Sequence, residues 1–265
     1  MSDDRVWREI REEVGREARR EPMLASFLHA TILNHARLED ALSFRLAEKL
    51  ESPNLHAMQL REVIDEAFAG SPDFGEVVRA DLEAVRSRDP ACTGLSQPLL
   101  YFKGFHALEA YRVSHRLWEQ GRVALALHLQ NRISEVFAVD IHPAARLGRG
   151  LFFDHGTGVV IGETAVVEDD VSMLHGVTLG GTGKETGDRH PKIGRGVLLS
   201  VGAKVLGNVR VGEGAKIGGG SVVLQDVPPH TTAVGVPARL VGRPRTEQPA
   251  LEMDQTLPGT AGDGI

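Results

Sequence analysis

Between Asp140 and His190 the chain gathers residues suited to moving a proton and to gripping a small zwitterion: Asp140, Asp154, His155, Arg189 and His190. A carboxylate that accepts one imidazole N–H fixes the tautomer and leaves the other ring nitrogen free to take a hydroxyl proton. His155 oriented by Asp140 is therefore a candidate general base. An isolated histidine beside an aspartate is more often surface decoration. Here the candidates converge, because Asp154, His155, Arg189 and His190 all fall at two interruptions of an otherwise regular pattern.

That pattern is a six-residue period. Ile141, Leu147 and Phe153 open it, Ile161, Val167, Met173 and Leu179 continue it, and Ile193, Leu199, Val205, Val211, Ile217 and Val223 close it. Small or β-branched residues recur four places after these anchors, among them Ala145, Thr157, Ala165, Val177, Ala203 and Ser221. Six is too long for a helix face and too regular for loops. It marks a parallel β-helix in which each hexad supplies a short strand and a turn, three hexads closing a coil of about eighteen residues. Extra residues can leave such a solenoid only outward. The first interruption adds two residues between Phe153 and Ile161, and the second puts LGGTGKETGDRHPK between Leu179 and Ile193.

The register places the chemistry. His155 and His175 stand two places after Phe153 and Met173, one circuit apart once the insertion is discounted, so they stack on the outside roughly 4.8 Å apart in strand spacing. Asp140 lies three residues short of a circuit before His155, a spacing that permits contact without requiring it. Val201 and Gly219 also follow their anchors by two places and share an outward column that suits a long, thin ligand. Gly180, Gly181 and Gly183 let a ligand approach backbone N–H groups, although a flexible loop root is the plainer use. Lys216 and Arg239 offer charge for phosphate.

Residues 1–138 read as a helical domain, with Leu24, Phe27, Leu28 and Ile32, then Leu38, Leu42, Leu46 and Leu50, at helical spacing. Ser52 before Pro53 and Ser71 before Pro72 look like N-caps with proline at the first helical position, and Asp89 with Pro90 ends a helix. Further helices are expected at 104–118 and 122–138, where they cap the open end of the solenoid. The β-helix is assigned to 139–243 and a flexible, disordered C-terminal tail to 244–265, whose sequence from Thr246 is acidic and aperiodic.

The 36 acidic residues outnumber the 30 basic ones, a net charge of -6 that gives no electrostatic reason to expect nucleic acid. The single cysteine, Cys92, excludes an intramolecular disulfide and fits a reducing compartment. MSDDRVWREIREEVGREARR has no apolar core for a signal peptide, and no stretch is long enough to span a bilayer. A cytoplasmic protein with no membrane association is expected.

The segments DPACTGLSQPLLYFKGFHALEAYR from Asp89, VDIHPAARLGRG from Val139, LGGTGK from Leu179, GDRHPKIG from Gly187 and GVPARLVG from Gly235 resemble bacterial serine O-acetyltransferase, within the hexapeptide-repeat acyltransferase superfamily. DPACTGL and GDRHPKIG narrow the likeness to the serine enzyme. The resemblance implies an α+β fold, an N-terminal all-helical domain followed by a left-handed parallel β-helix with an extended loop. It also implies transfer of acetyl from acetyl-CoA, the co-substrate, to the hydroxyl of L-serine, giving O-acetyl-L-serine for cysteine biosynthesis, with no metal.

By the same likeness His155 deprotonates serine with Asp140 in support, Asp89 and Asp154 hold the substrate ammonium, and Arg189 and His190 hold its carboxylate. Gly181, Thr182, Val201, Lys216 and Gly219 carry the cofactor. The family further implies a homohexamer of two trimers, feedback inhibition by L-cysteine, and docking of the terminal Ile265 into cysteine synthase (O-acetylserine sulfhydrylase). Cys92 is expected to be a small buried thiol, so transfer is direct.

Three other readings stay open. His155, His175 and His190 are possible zinc ligands, as in a metal-dependent gamma-type carbonic anhydrase, although Arg189 is an odd neighbour for a cation. An acetyltransferase for another hydroxyl acceptor such as homoserine, and a non-catalytic scaffold, complete the set.

Overall fold

The structure is a computed structural model that describes residues 4–183 and 186–257. The chain opens with helices α1 (Arg5–Arg20), α2 (Ala25–Leu28), α3 (Leu38–Leu50), α4 (Ala57–Ala69), α5 (Phe74–Arg88), α6 (Ser96–Tyr101), α7 (Lys103–Glu119) and α8 (Val123–Phe137). Helix α1 starts where the Asp4 side chain accepts from the backbone N–H of Trp7 at 3.1 Å. Helix α5 stops before Pro90, whose ring cannot continue it, and α8 stops at Ala138 in the left-handed region, φ 56°. Neither expected Ser-Pro cap is used. Ser52 closes a small turn by accepting from Leu55 N–H, and α4 and α5 begin later, after His56 and Asp73.

The β-helix follows as expected. Its first face stacks β1 (Val139–Ile141), β4 (Val159–Ile161), β7 (Thr178–Gly180), β10 (Lys204–Leu206) and β13 (Val222–Val223). The second face stacks β2 (Arg146–Leu147), β5 (Val166–Val167), β8 (Lys192–Ile193) and β11 (Arg210–Val211). The third stacks β3 (Phe152–Phe153), β6 (Ser172–Met173), β9 (Leu198–Leu199), β12 (Lys216–Ile217) and β14 (Thr232–Gly235), and is finished by the antiparallel β15 (Ala238–Gly242).

From β1 to β10 each strand pairs in parallel with the one three places on, so that successive coils satisfy each other's backbone groups, and β12 then pairs in parallel with β14. The period-six anchors from Ile141 to Val223 fill the interior, except that Leu147 is only partly buried. Thr157 departs from the pattern. It is exposed, because the two inserted residues pass the inward position to Val159.

The helical domain closes the first coil, with α5, α7 and α8 packed on β1 and β3. Arg112 of α7 bridges the two parts, donating to Asp81 Oδ2 at 2.5 Å and to the Gly148 carbonyl at 2.8 Å, while Asp81 Oδ1 accepts from Leu151 N–H at 2.8 Å. Burial and the Asp81 charge push the adjacent Glu109 carboxyl well up.

The tail expected to be flexible from 244 is ordered in its first part. Residues 249–252 form a helical turn, α9 (Pro249–Glu252), with Pro249 and Ala250 buried against β9 and α5. The apolar face of that turn covers the third face of the solenoid, which residue-by-residue polarity did not reveal. The final GDGI, Ile265 included, lies outside the described residues.

Candidate functional site

Two edges of the solenoid carry most of the predicted residues. At the turn from the third face to the first, the two-residue insertion throws His155 outward in a left-handed conformation, φ 55°, a backbone state that a bulky residue adopts at a cost. Its side chain is 75 % exposed. The ring packs edge to face on His175 with centroids 5.8 Å apart, the stack that the register predicts. Its Nε2 lies 3.7 Å from Asp154 Oδ1.

Asp89 arrives at the same place from the end of α5, where its Oδ1 accepts from Ala91 N–H at 2.8 Å. Asp89, Asp154 and His155 thus line one cavity of about 540 Å³ together with His175, Lys103 and Phe153. Burial pushes the Asp154 carboxyl up; the His155 charge opposes this and that of Asp89 adds to it.

Gly104, the second residue of α7, makes this approach of helix to coil possible. A Cβ there would meet the Phe153 carbonyl oxygen at 2.2 Å. Lys103, beside it, donates to Thr157 Oγ1 across the cavity mouth. Sequence reasoning missed Lys103; the pairing arises only from how α7 lands on the coil.

Arg189 and His190 lie elsewhere, on the edge from the first face to the second, where the extended loop rejoins the solenoid. Thr164 organises them. Its Oγ1 accepts from the backbone N–H groups of Arg189 at 3.0 Å and His190 at 3.1 Å, and its own N–H donates to His190 Nδ1 at 3.2 Å. That bond leaves Nε2 as the protonated, donating nitrogen of a neutral ring. Burial, then the Arg189 charge, hold the His190 pKa down. Arg189 donates to Glu163 Oε2 at 2.7 Å, and a Cβ on Gly162 would come within 2.1 Å of the His190 ring. Thr164 and Glu163 occupy ordinary turn positions of a hexad and carry no signature in sequence.

The structure does not make the Asp140–His155 contact that the spacing permits. Asp140 sits in β1, in register with Val160, and its Oδ1 accepts from Gln130 Nε2 of α8 at 2.7 Å. The strand places it on the flat first face, whereas the insertion carries His155 around the edge.

The cofactor candidates divide in the same way. Val201 and Gly219 stack on the edge of His155, a Cβ on Gly219 meeting Val201 Cγ1 at 3.2 Å. Gly181 lies near Arg189 and His190, and Thr182 near Gly207. Lys216 is not the free cation expected for phosphate. It is buried on the third face and donates to the Thr256 carbonyl at 2.5 Å, because the tail crosses there. Burial holds its pKa down.

His155 and His175 do not converge with His190, and no group of three or more potential metal ligands occurs among the described residues. Cys92 is buried, donates to the Gly94 carbonyl at 3.3 Å, and burial pushes its thiol pKa up, which keeps it protonated and unreactive.

The arrangement offers an exposed imidazole beside two carboxylates on one edge and a guanidinium with a neutral imidazole donor on another. Residues 6–110 match the family profile described as serine acetyltransferase, N-terminal, and residues 190–225 match that of the bacterial transferase hexapeptide, six repeats. A serine acetyltransferase of Salmonella typhimurium is 59 % identical over 98 % of this chain and 97 % of its own. A solved serine acetyltransferase in complex with cysteine shares 56 % identity at a TM-score of 0.93, over 95 % of this chain and 98 % of that one. Another, from Brucella abortus in complex with coenzyme A, shares 54 % at 0.90, over 91 % and 96 %.

Proposed function

The chain belongs to the serine acetyltransferase family, and we infer that the cavity at His155 carries out that family's reaction: acetyl from acetyl-CoA passes to the hydroxyl of L-serine, giving O-acetyl-L-serine and CoA for cysteine biosynthesis. The observation that carries this reading is the cavity in which Asp89 and Asp154 flank one exposed imidazole. His155 takes the serine hydroxyl proton as the oxygen attacks the thioester carbonyl, and returns a proton to the departing thiolate. Asp140, held by Gln130, supports the imidazolium once the exposed ring turns toward the first face. Transfer is direct, with Cys92 inert.

Asp89 and Asp154 hold the substrate ammonium; Arg189, through its fork of N–H donors, and His190, through Nε2–H, hold the carboxylate. Within one chain these halves are separated by the width of the first face, a strand of three residues or roughly 10 Å. Ammonium and carboxylate sit on the same carbon of serine, so one chain cannot hold both. The clamp closes where the His155 edge of one copy meets the Arg189 edge of the next.

Such a head-to-tail contact between unlike edges closes into a ring, and three triangular solenoids side by side make a trimer. The acetyl-CoA residues obey the same geometry, Val201 and Gly219 on one edge and Gly181 and Thr182 on the other, so the pantetheine arm lies along the same seam. Two trimers joined through the helical domains give the hexamer.

L-Cysteine differs from L-serine only in carrying a thiol for the hydroxyl and enters the same clamp as a feedback inhibitor, a reading supported by the relative solved with cysteine. The C-terminal end, with Ile265, docks into cysteine synthase, and the enzyme works in the cytoplasm; among the described residues no helix is long and apolar enough to cross a membrane. The deciding experiment follows free thiol with acetyl-CoA and L-serine, homoserine or no acceptor. Release that depends on serine supports the reading; thiol release without acceptor, or with homoserine alone, refutes it.

A further inference from the structure

A chain of contacts leads from the serine cavity to the tail. Arg88, the last residue of α5 and the one before Asp89, has a side chain only 3 % exposed. Its guanidinium crosses from the helical domain to the second coil, Nη1 donating to Ser172 Oγ at 3.2 Å and Nη2 to Asp170 Oδ1 at 3.4 Å. Ser172, fully buried in β6, donates its own hydroxyl proton to the carbonyl of Ala250 in α9 at 2.8 Å. A hydroxyl has one proton and two lone pairs. With its proton taken by Ala250, Ser172 turns its lone pairs to Arg88.

Resting on the assignment of Asp89 to the substrate ammonium, we propose that Arg88, Ser172 and the docked turn 249–252 form a positioning relay that sets Asp89 for serine. The C-terminal segment thereby tunes serine affinity through residues that never touch substrate. The end of α5 fixes Asp89, whose N–H donates to the Val85 carbonyl at 2.9 Å, and Arg88 is what ties that end to the β-helix. Its Nε is buried with no partner, so the guanidinium depends on the acceptors that remain. A buried cation that loses one acceptor moves toward another or toward water. Without the Ala250 carbonyl, the Ser172 proton is free to turn toward Arg88, and the adjoining carboxylate shifts.

Steady-state kinetics of the full chain, with both substrates varied, test this. Ser172→Ala and Ala250→Asp, the second undocking the tail turn, are each expected to raise the serine KM about fivefold. The acetyl-CoA KM and kcat are expected to stay within about twofold, and the double variant to go no further than the singles, since both break one relay. A merely structural loss lowers the active fraction, and so kcat, while leaving the serine KM in place; that result overturns the relay. Asp89→Asn is measured alongside. If it raises the serine KM and the other two do not, the relay fails while the role of Asp89 stands; if it leaves the serine KM unchanged, both fall.

Discussion

The imidazole of His155 leans edge to face on that of His175, one coil further along, with the centroids 5.8 Å apart. The otherwise exposed ring proposed as the base thus gains a fixed neighbour, and the two proposed roles separate by magnitude. His155→Ala removes the proposed proton acceptor and is expected to lower kcat by about 10² to 10⁴. His175→Ala removes the support and is expected to cost about tenfold in kcat. Thiol release under saturating substrates measures both.

The raised pKa of Asp154 gives a signed pH dependence. Burial is the main cause, so the carboxylate takes up a proton at a higher pH than an ordinary aspartate. Its ionised form is the one that holds an ammonium. As pH falls, the serine KM is expected to rise before the usual carboxylate range is reached. Asp154→Asn should give a high serine KM without this acid limb.

His106 sets an acid limit on stability. It is buried in α7, its Nε2 bonds the Leu99 carbonyl at 2.8 Å, and burial lowers its pKa to about 3. The unfolded chain protonates this ring near its ordinary value of 6.5 and the folded chain does not. The contribution is therefore whole above that pH and lost as pH falls toward 3, on the order of 5 kcal/mol in all. Denaturation of His106→Gln across this window should show a flatter acid decline than the parent.

Gly104→Ala tests the seat of α7 on the coil. The new methyl would overlap the Phe153 carbonyl, so the helix start must shift, at a cost of about 1–3 kcal/mol. Activity should fall with stability, because Lys103 and the cavity wall move too. Thermal unfolding and thiol release on the same sample check both.

The period of six made the coils, their inward residues and the His155–His175 stack legible in sequence, because a solenoid repeats one local rule and its breaks have nowhere to go but out. Helices α7 and α8 were legible within a residue or two. The Ser-Pro caps were misread because Pro53 and Pro72 sit in turns before the helices rather than at their first positions. Contacts set by docking were not legible: Gln130 on Asp140, Thr164 beneath His190, Lys103 over Thr157, and α9 on the third face. Lys216 looked like a phosphate ligand because its sequence neighbourhood does not show that residues some forty places later lie across it.

Pairing two disabled chains tests most directly that the catalytic edge of one copy and the carboxylate edge of another make one site. His155→Ala and Arg189→Ala chains, each carrying a different tag, are co-expressed, and oligomers holding both tags are assayed for thiol release at low serine. In these oligomers some seams join an intact His155 edge to an intact Arg189 edge, and roughly a quarter of the parental activity should return. Mixed oligomers no more active than the two variants alone would contradict the account.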